Sequence, residues 1–302
     1  MEKRLIINND KKEIITKNSF QEMLKNNKIT RLCGVHNALI SMLAQEAGFD
    51  GLWLSSFEAH ASCRLPDADI LSIPDYSDII NKISDRVSIP ILVDGDCGGG
   101  SPINTIRMVR EYEKNGAFGI CIEDNIYPKR CSFYDTEKRI LENPKKHSAK
   151  IRAACDNRLN ETFLVIARIE SLIVGESVEN AIERANIYID AGADSILIHH
   201  KGEDPTPIFD FSSKLKKNIP LVCVPTTYNT VSEQDLIDNG FKIVIYANCS
   251  IRAIVKTLQN IFKTIIDKQT LSSVVDDISP MSEIFRLVAV EDFYNNEKKY
   301  RS

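Results

Sequence analysis

Short apolar runs and longer amphipathic stretches alternate along the chain, and most of the apolar runs break off into polar residues. Runs at 31–35, 51–54, 91–93, 118–122, 163–167, 195–198, 221–224 and 243–246 are short and rich in β-branched residues, the signature of buried strands. Between them apolar residues recur every three or four positions, as at Val178, Ala181, Ile182, Ala185 and Ile189. The same helical period returns at Ile251, Ile254, Val255, Leu258, Ile261, Phe262 and Ile265. Alternation of strand and helix through eight units predicts an α/β fold, a (β/α)8 barrel of the TIM type. A polar lead with a short helix occupies about 1–28, and a helical extension about 270–302. A doubly wound open sheet fits less well: no Gly-x-Gly-x-x-Gly follows the first strand, and polar residues of interest follow most strands rather than one switch point. No shift to linker-like composition divides the chain, so 1–302 is read as a single domain.

In a barrel of this kind the chemistry lies at the C-terminal ends of the strands. The residues found there are Trp53, Ser55 and Ser56, then Asp94 and Asp96, then Glu123, Lys129, Cys131 and Ser132. Arg168 and Glu170, His199, Thr226 to Tyr228, and Asn248 follow the later strands. The stretch from Ile91 to Gly100 is the most telling, because three apolar residues run into two carboxylates one residue apart and then into glycines. Alternation along a strand would point Asp94 and Asp96 the same way, and converging carboxylates call for a cation. A hard divalent ion such as Mg²⁺ takes oxygen ligands and needs few from the protein. Glu123-Asp124 forms a second acid pair after an apolar run, and glycines 98–100 would let backbone N–H groups approach an anion. The plainer alternative is a solvated loop whose acids cap the next helix.

Residues 123–132 read as a lid that closes over a substrate, with a solvated loop as the alternative. Arg168 at a strand end is placed for bidentate binding of a carboxylate or phosphoryl group, or for pairing with Glu170. His199 is read as a binding residue rather than a proton carrier, and Asn37 as a helix N-cap.

A net charge of −4 without clustered Lys or Arg argues against a nucleic-acid surface. No apolar run approaches a membrane span and the polar start lacks a signal-peptide core, so a cytoplasmic protein without membrane partners is expected. The 8 cysteines show no Cys-x-x-Cys spacing, and most are read as reduced packing residues.

The motifs Gln45-Glu46-Ala47-Gly48-Phe49, Asp94-Gly95-Asp96, Glu123-Asp124, Ala167-Arg168-Ile169-Glu170, Ala191-Gly192-Ala193-Asp194, Val224-Pro225-Thr226-Thr227-Tyr228 and Ala247-Asn248 resemble the phosphoenolpyruvate mutase and isocitrate lyase superfamily. Within it the chain most resembles the branch of phosphoenolpyruvate mutase and phosphonopyruvate hydrolase. That resemblance implies a barrel whose last helix swaps between subunits of a homodimer or homotetramer, and a Mg²⁺ held by Asp94, Asp96 and Glu123, partly through water. It implies a small keto acid or enolate on the metal and on Trp53, Ser55 and Ser56, with Arg168 and His199 around its phosphoryl end. Asp67 aligns with an aspartate near the transferring group, Lys129 and Arg168 would clamp the phosphoryl group, and Ser132 would donate from the lid. The lid departs from the mutase pattern: Asn125 replaces a Lys and Cys131-Ser132 replaces Asn-Ser. Lys129-Arg130-Cys131 instead resembles the lid of C–C lyases, whose Lys-Arg-Cys-Gly-His carries the catalytic thiol, although Ser132-Phe133 stands in place of Gly-His. The activity this implies is interconversion of phosphoenolpyruvate and phosphonopyruvate, forming a C–P bond for phosphonate biosynthesis. The alternatives are hydrolysis of phosphonopyruvate, or C–C cleavage of an isocitrate, methylisocitrate or malate derivative with Cys131 as the acid. A non-enzymatic binding barrel would be expected to lose the metal carboxylates, and all of them are present. Activity should therefore require a divalent metal and be lost in Asp94→Ala; full turnover in excess EDTA would contradict this.

Overall fold

Eight parallel strands pair in chain order and close on themselves, β8 returning to β1. The computed structural model describes residues 23–134 and 139–301 apart from Lys25. The polar lead lies outside the described residues, and of the helix expected at 20–27 Met23, Leu24 and Asn26 are described and helical. The strands are β1 Thr30–Val35, β2 Gly51–Leu54, β3 Ile91–Asp94, β4 Gly119–Glu123, β5 Leu164–Ile169, β6 Ser195–Ile198, β7 Leu221–Cys223 and β8 Phe241–Tyr246, close to the runs read from the sequence. Around them lie α1 Ala38–Glu46, α2 Ser56–Ser62, α3 Ile73–Ser84, α4 Pro102–Lys114, α5 Pro144–Asn157, α6 Val178–Asp190, α7 Thr206–Lys214, α8 Glu233–Asp238 and α9 Cys249–Lys268.

The strand period of two divides the core into two layers. Leu32, Trp53, Leu92, Cys121, Ile166, Leu197, Val222 and Ile243, one from each strand, fill the barrel interior. Their neighbours, such as Val93, Ile120, Val165 and Ile196, face outward and pack on buried helix residues such as Ile80, Tyr112, Ile151 and Tyr188. Most loops that lead into these helices end in a polar cap. Asn37 accepts the Ile40 N–H at 3.0 Å, as expected, and Ser55, Ser101 and Ser177 act likewise.

All eight cysteines are free; Cys33, Cys97, Cys121 and Cys223 are buried as packing residues, and Cys63 and Cys249 are exposed instead. No described helix is long and apolar enough to cross a membrane. Beyond the barrel come α10 Met281–Leu287 and α11 Val290–Tyr300. The periodic apolar stripe of α9 is largely left open by this chain: Ile261 is buried, while Val255, Leu258, Phe262 and Ile266 are exposed, as are Phe285, Val288 and Phe293 of the tail.

Gly119 marks where the interior has no room. A Cβ there would lie 2.7 Å from Leu92 Cδ1 and 2.8 Å from the Leu164 carbonyl oxygen. Gly119→Ala should destabilise the protein by about 1–3 kcal/mol through overpacking; an unchanged urea midpoint would contradict this.

Candidate active site

The same period of two aims the candidate site. An interior apolar residue is followed two positions on by a polar residue at the barrel mouth: Trp53 by Ser55, Leu92 by Asp94, Cys121 by Glu123, Ile166 by Arg168 and Leu197 by His199. Glu123 and Arg168 are direct partners in the β4–β5 ladder. These five polar residues line one cavity together with Trp53, Asp67, Lys129, Arg130, Cys131, Ser132 and Asn248.

Three expectations change here. β3 ends at Asp94, so alternation does not bring Asp96 to the acids; a turn does, with Asp96 in the left-handed region at φ 47°. Asp124 has the opposite parity to Glu123 and leaves the mouth. It accepts the Glu170 N–H at 2.9 Å, the Tyr188 hydroxyl at 2.8 Å and Arg184 Nη1 at 3.1 Å, bracing β4 against β5 and α6. Burial pushes its carboxyl up to about 6 against the pull of Arg184. Glycines 98–100 make the turn into α4, and two of the N–H groups expected to meet an anion are used within it: Gly98 and Gly100 donate to the Gly95 and Cys97 carbonyls at 2.9 and 3.4 Å, while the Gly98 and Gly99 carbonyls accept from the Thr105 and Asn104 side chains at 2.7 and 2.8 Å.

Lys129 is the hub of the acidic wall. Its Nζ lies 2.9 Å from Asp67 Oδ1, contacts Asp96 Oδ1, and donates at 2.7 Å to Ser56 Oγ. Ser56, expected to bind substrate, in turn donates to Asp94 Oδ2 at 2.8 Å and so links lysine to acid. Burial works to lower the Lys129 pKa, and the Asp96, Asp67 and Asp94 carboxylates outweigh it, holding the ammonium well above its usual range. Burial pushes Asp96 well up against Lys129, and Glu123 up to about 7 against Arg168 and Lys129.

This donor set fits a hard cation. Its oxygens are carboxylate oxygens, burial drives Asp96 and Glu123 toward protonation, and Lys129 is the cation that now meets Asp96 Oδ1. Among the described residues no three acidic, His or Cys side chains converge tightly enough to hold an ion alone. A Mg²⁺ at this wall would take one or two of the carboxylates directly and keep several waters.

On the far wall Arg168 Nε lies 2.6 Å from Glu170 Oε1 and 3.3 Å from Glu123 Oε2, while Nη2 lies 2.8 Å from His199 Nδ1. Arg168 thus pairs with Glu170 and also lines the cavity. His199 Nδ1 is 2.7 Å from Glu170 Oε1, and Arg139 Nη1 is 3.5 Å from Glu170 Oε2. Burial would raise the Glu170 pKa, and Arg168 and His199 override it, holding the carboxyl well below its usual range. Burial and Arg168 push His199 down, which leaves the imidazole neutral near pH 7 and suits a binding role.

The lid is closed. The Cys131 N–H donates to the Asp67 carbonyl at 3.3 Å, the Asp67 N–H to the Tyr134 hydroxyl at 2.9 Å, and Lys201 Nζ to the Ser132 carbonyl at 3.4 Å. Lys129, Cys131 and Ser132 are buried, unlike residues of a solvated loop. Burial pushes the Cys131 thiol up to about 11, so it keeps its proton at neutral pH.

Sequence reasoning missed Asp69, whose carboxylate accepts the Lys129 N–H, although Asp67-Ala68-Asp69 repeats the Asp-x-Asp spacing of 94–96. It also missed Arg139, for which no sequence signal stands out, while Asn125, read as a departure of the lid from the mutase pattern, donates from Nδ2 to Glu123 Oε1 at 2.8 Å. Arg168→Lys keeps the charge and loses the planar fork that meets Glu123, Glu170 and His199, so kcat/KM should fall about 10²-fold or more; wild-type kinetics would contradict this.

Comparison with known proteins agrees with this geometry. The phosphoenolpyruvate phosphomutase family model matches residues 20–266. A phosphoenolpyruvate phosphomutase of Tetrahymena pyriformis is 34% identical over 280 residues, covering 93% of this chain and 93% of its own. The crystal structure of a phosphoenolpyruvate phosphomutase from Streptomyces platensis subsp. rosaceus matches with a TM-score of 0.92 at 36% identity, over 95% of this chain and 99% of that one. A phosphonopyruvate hydrolase in complex with oxalate and Mg²⁺ matches at 0.89 and 35% identity, over 95% and 100% of the two chains. The barrel with its acid-lined mouth and the family match lead to one conclusion: the chain belongs to the phosphoenolpyruvate phosphomutase family.

Proposed function

We propose that the chain is a Mg²⁺-dependent phosphoenolpyruvate mutase that interconverts phosphoenolpyruvate and 3-phosphonopyruvate. The observation that carries this reading is a pair of cations, buried Lys129 on the lid and part-buried Arg168 on β5, facing one cavity under a closed lid. In the forward direction the O–P bond of phosphoenolpyruvate breaks, the enolate double bond supplies the electron pair of the new C–P bond, and C2 becomes a keto carbonyl. The phosphoryl group is loosely held to both atoms at the transition state, so positioning and electrostatics supply most of the catalysis. Lys129 and Arg168 hold the phosphoryl oxygens, and neutral His199, braced by Glu170, adds a hydrogen bond. Asp67, paired with Lys129, lies beside the transferring group, and Ser132 donates from the lid. Trp53 and Ser55 bound the pyruvyl half. Mg²⁺ on Asp94, Asp96 and Glu123 would neutralise charge on the carboxylate and enolate oxygens, as suits a relative that holds oxalate with Mg²⁺.

Closure of the lid through Cys131, Tyr134 and Asp67 favours transfer over hydrolysis, because a hydrolase must admit a water to the phosphoryl group. A C–C lyase is the second reading, and Cys131 favours it: a protonated thiol at the cavity wall is placed to protonate a departing enolate. The exposed apolar stripe of α9 and the tail supports assembly into a homodimer or homotetramer, in which a second copy covers it.

Incubation with phosphonopyruvate and Mg²⁺, followed by ³¹P NMR, should show phosphoenolpyruvate. Free phosphate would make the chain a hydrolase, and no change would favour the lyase. Cys131→Ser should keep measurable C–P chemistry, since a mutase needs only a small polar group there. A lyase acid is worth on the order of 10²–10⁴ in rate, so a loss of phosphonopyruvate conversion beyond about a thousandfold, with the fold intact, would overturn the mutase reading.

A further inference from the structure

Asn248 has no part in the roles assigned above, yet its backbone is held tightly. It follows β8 as the N-cap residue of α9 with a left-handed backbone at φ 65°, a conformation that Asn tolerates better than most side chains. Glu58, fully buried on α2, fixes it: Oε1 accepts the Asn248 N–H at 2.9 Å, while Oε2 accepts from the Ser250 hydroxyl and lies 3.2 Å from His36 Nδ1. There is room for this carboxylate because residue 34 is glycine; a Cβ there would lie 2.3 Å from Glu58 Oε1 and 3.1 Å from the Asn248 nitrogen. The bonds that fix Asn248 run through its backbone. Its side-chain Oδ1 is buried without a hydrogen-bond partner, and the residue lines the same cavity as Ser55, Asp94 and Arg168. Buried polar atoms are nearly always satisfied, and an amide whose oxygen is held by no bond is free to turn over for a ligand in this cavity.

The barrel order says which part of the ligand that is. β8 and β2 flank β1, whereas β5 and β6, which carry Arg168 and His199, lie across the closed sheet. Asn248 and Ser55 therefore share the wall opposite Arg168 and His199. One brace sets both, since Ser55 caps the helix that carries Glu58, accepting the Glu58 N–H at 3.3 Å. We propose that Asn248 is a substrate-binding residue whose amide hydrogen-bonds the pyruvyl end of the keto acid and so selects substrates by that end. A carboxylate or enolate oxygen calls for the NH₂ of the amide, which a turn about the last side-chain bond presents. The inference rests on the keto-acid reading of the site.

Oxalate with Mg²⁺, measured by calorimetry, probes the pyruvyl end without a phosphoryl group. Asn248→Gly retains the left-handed backbone and its bond to Glu58 and removes only the amide, while Asn248→Asp keeps the shape and replaces the donor by a negative charge. Oxalate affinity should fall about tenfold in the first variant, as for loss of one hydrogen bond to a charged group, and further in the second, with thermal unfolding unchanged. Affinities within about twofold of wild type in both variants would overturn the inference. Wild-type protein that binds no oxalate would overturn it together with the keto-acid reading. Weakened oxalate binding in both variants upholds it even where phosphonopyruvate is not converted, so a failure of the mutase assignment shows separately.

Discussion

A buried ammonium among carboxylates is the constraint on which the mouth of this barrel depends. Lys129 ties together three separate pieces of chain: Asp67 in the loop after α2, Asp96 in the turn after β3, and Ser56 at the start of α2, through which it reaches Asp94. Removing one partner of such a buried set leaves the others uncompensated, at a cost of about 3–5 kcal/mol. Because the lysine belongs to the lid, closing the lid and balancing the acids are one event. That explains why Lys129, Cys131 and Ser132 are buried in a segment with the polar sequence of a surface loop. The opposite wall repeats the logic with signs exchanged: there the buried carboxylate of Glu170 is the centre, and Arg168, His199 and Arg139 gather around it.

Much of this was legible in the sequence because two patterns carry it. The helical period located the outer layer, and the short apolar runs located the strand ends at which Asp94, Glu123, Arg168 and His199 stand. Where the reading failed, the cause was a local conformation or a distant partner. Asp96 returns to the site through a left-handed turn residue, which a rule of alternation does not contain. Asp124 follows the rule, and applying strand parity to the pair with Glu123 would have sent it outward to Arg184 and Tyr188. Glycines 98–100 look the same in sequence whether they cradle an anion or release a chain into a helix; the Gly98 and Gly100 N–H groups, bonded within the turn, favour the second. Glu58 and Arg139 act across long separations in the chain, and no spacing announces them. The apolar stripe of α9 shows the opposite limit, since a helical period reports that a face will be covered and is silent on what covers it.

A mutase, a hydrolase and a lyase are all similar to this chain, so the electrostatics of Lys129 and Arg168 do not by themselves choose among the three reactions. The choice falls to whatever else reaches the reacting carbon or phosphorus. A closed lid keeps water out, which leaves the residue at 131. Its thiol is already held protonated by burial, and an incoming phosphoryl or carboxylate dianion would favour the neutral form further, because a thiolate beside it would be a like charge in a dry site. Cys131 therefore enters the reaction as a proton-bearing group under either reading. In a mutase its weak S–H donor stands where the resemblance places an Asn amide, and Ser132 and Lys129 carry most of the hydrogen bonding. In a lyase the same proton must leave, and a thiol whose pKa burial has pushed to about 11 is a sluggish acid unless the departing enolate is more basic still. The environment of Cys131 thus asks less of a mutase than of a lyase and, beside the clamp under its closed lid, supports the reading of C–P chemistry.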